Sequence, residues 1–347
     1  MTSSGGEKRR ELFAKDEIER SLIVRLAHVV EIHAERIALR DGQRTLTYAE
    51  LGARVTAVAN AILWLRPDDS TPVALILDHG ADMVIALLGV IATGRAYVPL
   101  DPSYPHAHLQ QMLTHSGAGL VVSSEAHLAL CRELQPGGSV LDLGAIAARG
   151  SDNALAALAA RSCADSHACI LYTSGSTGTP KGIVHTHRTL QHLIWSHVTS
   201  YALGPEDRLA LVFSASFAAS LSEIFGAVLN GASLSLTSAK RTGNLAEWVR
   251  RERLTVFKLP VSLFRVFLHS LDPGVDFPDT RLVLLGGDAL HRKDVEKFRA
   301  HFPASCLLVN RLTSSESLSI TRYPIDRARP LGEQVVPVGY PDHDTEV

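Results

Sequence analysis

The chain has 347 residues, 46% hydrophobic and 20% charged, a composition that excludes wholesale disorder and a length that suggests about two folded units. Lys and Arg number 34 against 36 Asp and Glu, a net charge of -2, so no basic excess points to nucleic acid or to an anionic membrane surface. No apolar run approaches ~18 residues, which excludes a membrane-spanning helix.

The polar opening MTSSGGEKRRELFAKDEIER lacks the apolar centre of a secretory signal, and residues 1–20 read as a flexible tail. From Ser21 to Leu39 apolar residues recur at near-helical spacing and predict an amphipathic helix. Asp41-Gly42 between two short apolar runs is a hairpin signal. Thr47, followed three residues later by Glu50, opens the next helix with a capping box. PVALILDHG then reads as a buried strand, ADMVIALLGVIATG as a helix stopped by Gly94, and AYVPLDPSYP as a strand entering a proline-rich turn that Asp101 caps. HLQQMLTHSG is helical and AGLVVSS a strand. The Ala/Gly-rich stretch RELQPGGSVLDLGAIAARGSDNALAALAARSCADS reads as a connection. ACILYTS, RLALVFS, ASLSLTS, LTVFKLP and RLVLLGG are further short apolar runs separated by helical segments. This alternation predicts an α/β protein with largely parallel sheets covered by helices.

The strongest motif is Tyr172–Gly182, YTSGSTGTPKG. A buried strand runs into a loop of glycines and hydroxyls closed by Lys181. Glycines let the backbone curl and present consecutive N–H donors to phosphate oxygens; Thr173, Ser174, Ser176 and Thr177 add hydroxyls, and Lys181 a mobile charge. GxxxxGK[ST] is absent, so this is not a P-loop. The histidines, among them His185 and His187, have neither HExxH nor CxxC company and read as packing or surface residues, His187 excepted below. Cys131, Cys163, Cys169 and Cys306 form no CxxC pair and suggest idle thiols in a reducing compartment, with a cytoplasmic location expected.

YTSGSTGTPKG resembles the signature loop of the adenylate-forming superfamily, which includes acyl- and aryl-CoA synthetases, luciferases and the adenylation domains of nonribosomal peptide synthetases. Other segments agree in order. LTYAEL (Leu46–Leu51) is similar to the family's first core motif and LLGVIATGRAYVPLDPSYP (Leu87–Pro105) to its second, chiefly as found in the nonribosomal branch. LLGGDAL (Leu284–Leu290) resembles the glycine turn beside adenine, LVNRLTSSE (Leu308–Glu316) the N-x-Y-G-P-T-E motif, and VPVGYP (Val336–Pro341) the P-x-G-x-P after it. The resemblance runs from about Ser21 onward.

It implies two stacked αβα-type subdomains with largely parallel sheets, residues 21–200 and 201–347, the second ending before the family's C-terminal lobe. It also implies ATP-dependent activation of a carboxylic acid as an acyl adenylate, then transfer to the phosphopantetheine thiol of a carrier protein or to coenzyme A. Thr173, Ser174, Gly175, Ser176, Thr177, Gly178 and Lys181 would hold phosphates. Lys181, Thr177 and His187, which the family places beside the loop, would be catalytic. Gly286, Gly287, Asp288 and Ala289 would border adenine, with Asn310, Arg311, Leu312, Thr313 and Ser315 completing the nucleotide site. Glu316 would hold Mg²⁺. Phe217, Ala218, Ser222, Leu259 and Gly286 would line the acid pocket.

Two departures matter. Leu312 stands where the motif normally has an adenine-stacking aromatic. Ala218 stands where amino-acid-activating members carry the aspartate that pairs with the substrate ammonium. A buried ammonium without a partner is costly, so the expected substrate lacks an α-amino group. Glu223 is expected to face away from the acid. The strings by which the family binds ribose and bridges carboxylate to α-phosphate do not occur in the chain, so weak adenylation by these residues alone is expected. The competing readings are a non-catalytic or degenerate binding module, and an amino-acid-activating domain with another ammonium anchor.

Overall fold

The computed structural model describes residues 13–67, 69–146, 154–174, 180–237, 244–326 and 334–346. Helix α1 spans Leu22–Ile32 and is capped by the Ser21 side chain, which accepts from the Ile23 N–H. The helix predicted to Leu39 stops seven residues early. Ile37 and Leu39 also fit a period of two, and a strand partner is available: β1 (Ile37–Asp41) pairs in parallel with β10 (Ser233–Leu236) and antiparallel with β2 (Arg44–Thr47). Gly42, at φ 62°, makes the hairpin turn between β1 and β2.

The predicted capping box is present at the start of α2 (Tyr48–Leu65): the Glu50 N–H donates to Thr47 Oγ1 at 3.2 Å and the Thr47 N–H to Glu50 Oε2 at 2.8 Å. β3 (Val73–Ile76), α3 (Ala81–Ala92), β4 (Tyr97–Pro99), α4 (His106–Ser116), β5 (Leu120–Ser123) and α5 (Leu128–Leu134) follow as expected. The Ala/Gly-rich connection conceals β6 (Ser139–Asp142), which pairs with β5, and the short α6 (Leu155–Leu158). β7 (His167–Ser174) leads into the signature loop and β8 (Pro180–Thr186) returns antiparallel to it. Next come α7 (His187–Tyr201), β9 (Arg208–Leu211), α8 (Ala219–Val228), β10, α9 (Leu245–Arg251), β11 (Val256–Pro260), α10 (Val261–His269), β12 (Leu282–Gly286), α11 (Arg292–His301), β13 (Leu307–Leu312), β14 (Thr321–Ile325) and β15 (Tyr340–Pro341).

Two sheets result, ordered β6-β5-β3-β4-β7-β8 and β15-β14-β13-β12-β11-β9-β10-β1-β2. Adjacent strands are parallel except at β1/β2, β7/β8, β13/β14 and β14/β15. The faces of both sheets that point toward each other share one core with α1, α2, α3, α7 and α8. The outer face of the larger sheet packs on α9, α10 and α11, and that of the smaller on α4 and α5. β3 shows the consequence: Val73 and Leu75 enter the shared core, Ala74 and Ile76 the outer one, and all four are buried. The architecture is the expected pair of αβα units, with the middle helical layer held in common.

Two boundaries need correction. The hairpin β1–β2, expected in the first unit, hydrogen-bonds to the second sheet, because β10 offers Leu39 a parallel partner in Leu234. The tail does not extend to residue 20: Phe13 and Ile18 are buried, Arg25 lies 4.1 Å from the Phe13 ring centroid, and Arg25 Nη1 is 2.8 Å from Glu17 Oε1. Among the described residues no helix is long and apolar enough to cross a membrane, and all four cysteines are free thiols, only Cys163 being exposed.

Tyr48 ties the middle layer to the larger sheet. Its ring is fully buried and its hydroxyl lies 3.0 Å from Ala227 O and 2.7 Å from Ala232 O, at the end of α8 and the start of β10. Replacing it with phenylalanine removes a buried donor from Ala232 O, while Ala227 O keeps the N–H groups of Asn230 and Ala232. We expect Tyr48→Phe to cost about 1–3 kcal/mol, read as a lower urea midpoint at unchanged slope; an unchanged midpoint would show that the hydroxyl contributes nothing.

Candidate functional site at the carboxyl ends of the strands

Parallel strands running in one direction leave a crevice beyond their carboxyl ends, where loops can present side chains from several strands at once. β11, β12 and β13 lie side by side in the order of their pairing, Lys258 opposite Leu284 and Leu284 opposite Val309. Alternation along β11 sends Phe257 and Leu259 to the outer core and Lys258 to the face of the middle layer, with Val256. Arg311 lies on that same face of β13, two residues beyond Val309.

A cavity of about 280 Å³ opens here between the first turn of α8 and the loop after β13. Phe217 and Ala218 just before α8 line it with Ala219 and Ser222 on that helix, Lys258 from β11, and Arg311, Thr313 and Ser315 from β13 and its loop, with Phe213 after β9. A second cavity of about 120 Å³ adjoins it, lined by Leu259, Gly286, Gly287 and Leu284. Phe213, Ala219, Lys258, Arg311 and Thr313 belong to both walls. Gly286 sits in a tight place: a Cβ there would stand 3.0 Å from Arg311 O, closer than ordinary contact.

The expected acid-pocket residues Phe217, Ala218, Ser222, Leu259 and Gly286 are thus brought together, as are Gly287, Arg311, Thr313 and Ser315. Asp288 and Ala289 are exposed beside them without lining either cavity, and Leu312 is 42% exposed at the end of β13. Asn310 is buried, and its Nδ2 donates to Val336 O at 3.2 Å and Pro337 O at 2.9 Å. It therefore pins the VPVGYP segment against the sheet, while its Oδ1 has no partner among the described residues. Glu316 is exposed on the loop after β13. Thr173 pairs with Lys181 across β7 and β8, and the Lys181 side chain is exposed. Gly175, Ser176, Thr177 and Gly178, with the side chain of Ser174, lie outside the described residues.

His187 is not brought to the site. It is fully buried at the start of α7, and its Nδ1 accepts from the Leu22 N–H at 3.1 Å, closing the first turn of α1. Burial pushes its pKa down to about 4. The imidazole is a neutral structural cap in place of the expected catalytic group. His185, on β8, is also buried and its pKa lowered by burial, which the Ser315 backbone and the Glu316 charge partly oppose. The turn-capping role of Asp101 is observed too: its Oδ1 accepts from the Ser103 N–H at 3.0 Å and Oγ at 2.7 Å, while Oδ2 accepts from Ser214 Oγ at 3.1 Å, across to the second sheet. Among the described residues no cluster of three His, Cys, Asp or Glu could hold a metal by itself.

Sequence reasoning passed over Lys258. Its Nζ donates to Ala219 O and to Ser222 Oγ, each at 2.7 Å, and lies 3.6 Å from Glu223 Oε1. Burial lowers the lysine pKa and raises that of Glu223. Glu223 lines neither cavity, as expected, but it anchors the cation that does. The available signal was a lysine inside the apolar run LTVFKLP, at a strand position whose neighbours are all buried.

Residues 26–347 match the family described as AMP-binding enzyme. The chain is 31% identical over 282 residues to bacitracin synthase 3 of Bacillus licheniformis, covering 78% of this chain and 4% of that protein. A crystal structure of the nonribosomal peptide synthetase FmoA3 superposes with a TM-score of 0.82 at 25% identity, over 94% of this chain and 36% of that one. The Klebsiella oxytoca NpsA N-terminal subdomain, in complex with 3-hydroxybenzoyl-AMSN, gives 0.79 at 25% identity over 95% and 81%.

The neutral His187 has a consequence for acid stability. The unfolded imidazole takes up its proton near pH 6.5 and the folded one only near pH 4. Its contribution is therefore complete above pH 6.5 and is lost as pH falls to about 4, by ~3 kcal/mol in all. Glutamine at this position can accept the Leu22 N–H without titrating. We expect urea midpoints of His187→Gln to fall less than those of the unmodified protein between pH 7.5 and 4.5; equal losses would refute the assignment.

Proposed function

Because the chain belongs to the AMP-binding enzyme family, we propose that it supplies the acid- and nucleotide-binding core of an enzyme that joins a carboxylic acid to the α-phosphate of ATP. The acid carboxylate attacks in line, an acyl adenylate forms and pyrophosphate leaves. The observation that carries the reading is the common wall of the two cavities, because Phe213, Ala219, Lys258, Arg311 and Thr313 put the pocket under α8 directly beside the Gly286–Gly287 turn. A carboxylate in the first and a nucleotide against the second would meet without crossing protein. Catalysis of such a step is mainly positioning and neutralisation of charge.

In this reading the signature loop and Lys181 hold the β- and γ-phosphates. Mg²⁺ is normally bound by one or two carboxylates together with substrate phosphates, so the single exposed carboxylate of Glu316, beside Ser315, suits it. The ion would neutralise phosphate charge. The acyl group then passes to a thiol. The nonribosomal peptide synthetases among the structural neighbours favour a carrier protein's phosphopantetheine arm over coenzyme A, and a cytoplasmic setting accords with these reactants. The chain spans only 4% of the bacitracin synthase it matches, so the acceptor belongs to the whole protein.

The absence of a carboxylate at Ala218 supports an acid without an α-ammonium group. The described residues lining the first cavity offer two cations, Lys258 and Arg311, and no Asp or Glu.

Pyrophosphate–ATP exchange by the full-length protein tests this. Lys181→Ala and Glu316→Ala are each expected to lower exchange by roughly 10²–10³, the usual loss when one preorganised electrostatic contact is removed. Undiminished exchange in both would overturn the assignment of the phosphate and metal contacts. Matched pairs of a 2-oxo acid and its amino-acid counterpart test the substrate class: the 2-oxo acid should be preferred, and a clear preference for the amino acid would sink that part.

A further inference from the structure

Activation of a simple monocarboxylic acid does not require two cations in the wall of its pocket, yet this pocket has them. Lys258 is only 14% exposed at its side chain, and its nearest carboxylate is Glu223 at 3.6 Å. Arg311 is 4% exposed. Its Nη2 donates to Ser319 Oγ at 2.6 Å, and its Nε and Nη1 find no partner among the described residues. Ser319 passes the contact on to Asp342, but that carboxylate also accepts from Ser196 Oγ at 2.7 Å and lies 3.5 Å from Arg322 Nε. Three cations, Lys258, Arg311 and Arg322, thus face two carboxylates, Glu223 and Asp342. The surplus positive charge falls among groups of which two, Lys258 and Arg311, line both cavities, and Arg311 is the one with donors left unused.

A buried guanidinium with unused donors is expensive, and folds keep such groups where a ligand provides the counter-charge. Its planar donor set matches a carboxylate better than any neutral group does. The sheet leaves room for one. Lys258 on β11 and Arg311 on β13 lie on the same face, and both border the two adjoining cavities at the carboxyl ends of the strands. No carboxylate among the described residues occupies that wall.

We propose that the acid activated here is a dicarboxylic acid, one carboxylate reacting with ATP and the other held between Lys258 and Arg311. The proposal rests on the acid-activating reading above and narrows its substrate. Ser222, which accepts from Lys258, fixes the ammonium on the α8 side, so the distal carboxylate is gripped from two strands. Ala218 leaves the opposite wall without an ammonium partner, which separates a plain dicarboxylate from its 2-amino counterpart.

The test uses the full-length protein and the series malonate, succinate, glutarate and adipate. Each is compared with the monocarboxylate in which a methyl replaces the far carboxylate, and succinate also with aspartate. Pyrophosphate–ATP exchange gives kcat/KM, and calorimetry gives acid binding and, separately, ATP binding. At least one dicarboxylate should exceed its methyl counterpart roughly 10–100-fold, and succinate should exceed aspartate. Arg311→Met should remove most of that preference, lowering kcat/KM for the dicarboxylate far more than for its methyl counterpart. Lys258→Met paired with Glu223→Gln, which leaves no buried carboxylate stranded, should do the same. Lys258→Arg should retain it. Monocarboxylates that match or exceed every dicarboxylate in the unmodified protein overturn the proposal and leave acid activation standing. ATP binding with no exchange for any acid overturns both. Preference for aspartate over succinate overturns it in favour of an amino dicarboxylate.

Discussion

Two largely parallel sheets share a single layer of helices, and the remainder of the architecture follows from that. A parallel strand buries both faces, so each sheet needs cover on two sides, and α1, α2, α3, α7 and α8 provide the inner cover for both at once. The arrangement fixes α8 over the ends of β11 and β13. It also places the site where strands end and side chains of one face converge. Two contacts hold that geometry: Tyr48 ties the shared layer to the end of α8 and the start of β10, and Asp101, after β4, bonds to Ser214, after β9.

Within the shared layer, burial divides the titratable groups into two kinds. His185, His187 and His197 are buried and held neutral, their pKa values lowered first by desolvation; for His197 the charges of Arg311, Lys258 and Arg322 act in the same direction. The cations nearer the strand ends are held by hydrogen bonds to Ala219, Ser222 and Ser319. Asp342 shows the balance from the other side. Burial raises its pKa, yet hydrogen bonds from Ser319 and Ser196 and the charge of Arg311 leave it below the ordinary value. The site is a positively biased recess in an otherwise neutral layer, which is a suitable environment for anionic reactants.

Much of this was legible in the sequence because it is local. The capping box at Thr47, the Asp41-Gly42 hairpin, the strand–glycine-loop motif and the alternation of apolar runs each depend on a few neighbouring residues, and each fixed an element or the fold class. The motif order also singled out Ala218, Ser222 and Gly286, which line two adjoining cavities. The errors arose where distant partners decide. Ile37–Asp41 satisfies both a helical and a strand period, and only the presence of β10 selects the strand. Ser139–Asp142 carries too weak a pattern to declare itself without β5 alongside.

The amino-acid order by itself determined which segments could be helix, strand or phosphate-binding loop, since backbone preference and periodicity act within one or two turns of chain. Tertiary structure alone decided what His187 and Lys258 do. One residue, expected at the reaction centre, became a buried cap for a helix 165 residues away in sequence. The other, unremarked in an apolar strand, became a cation in the wall of the pocket. Burial and charge are properties of the surroundings a side chain is given, and those surroundings exist only after the two sheets have closed on their common layer.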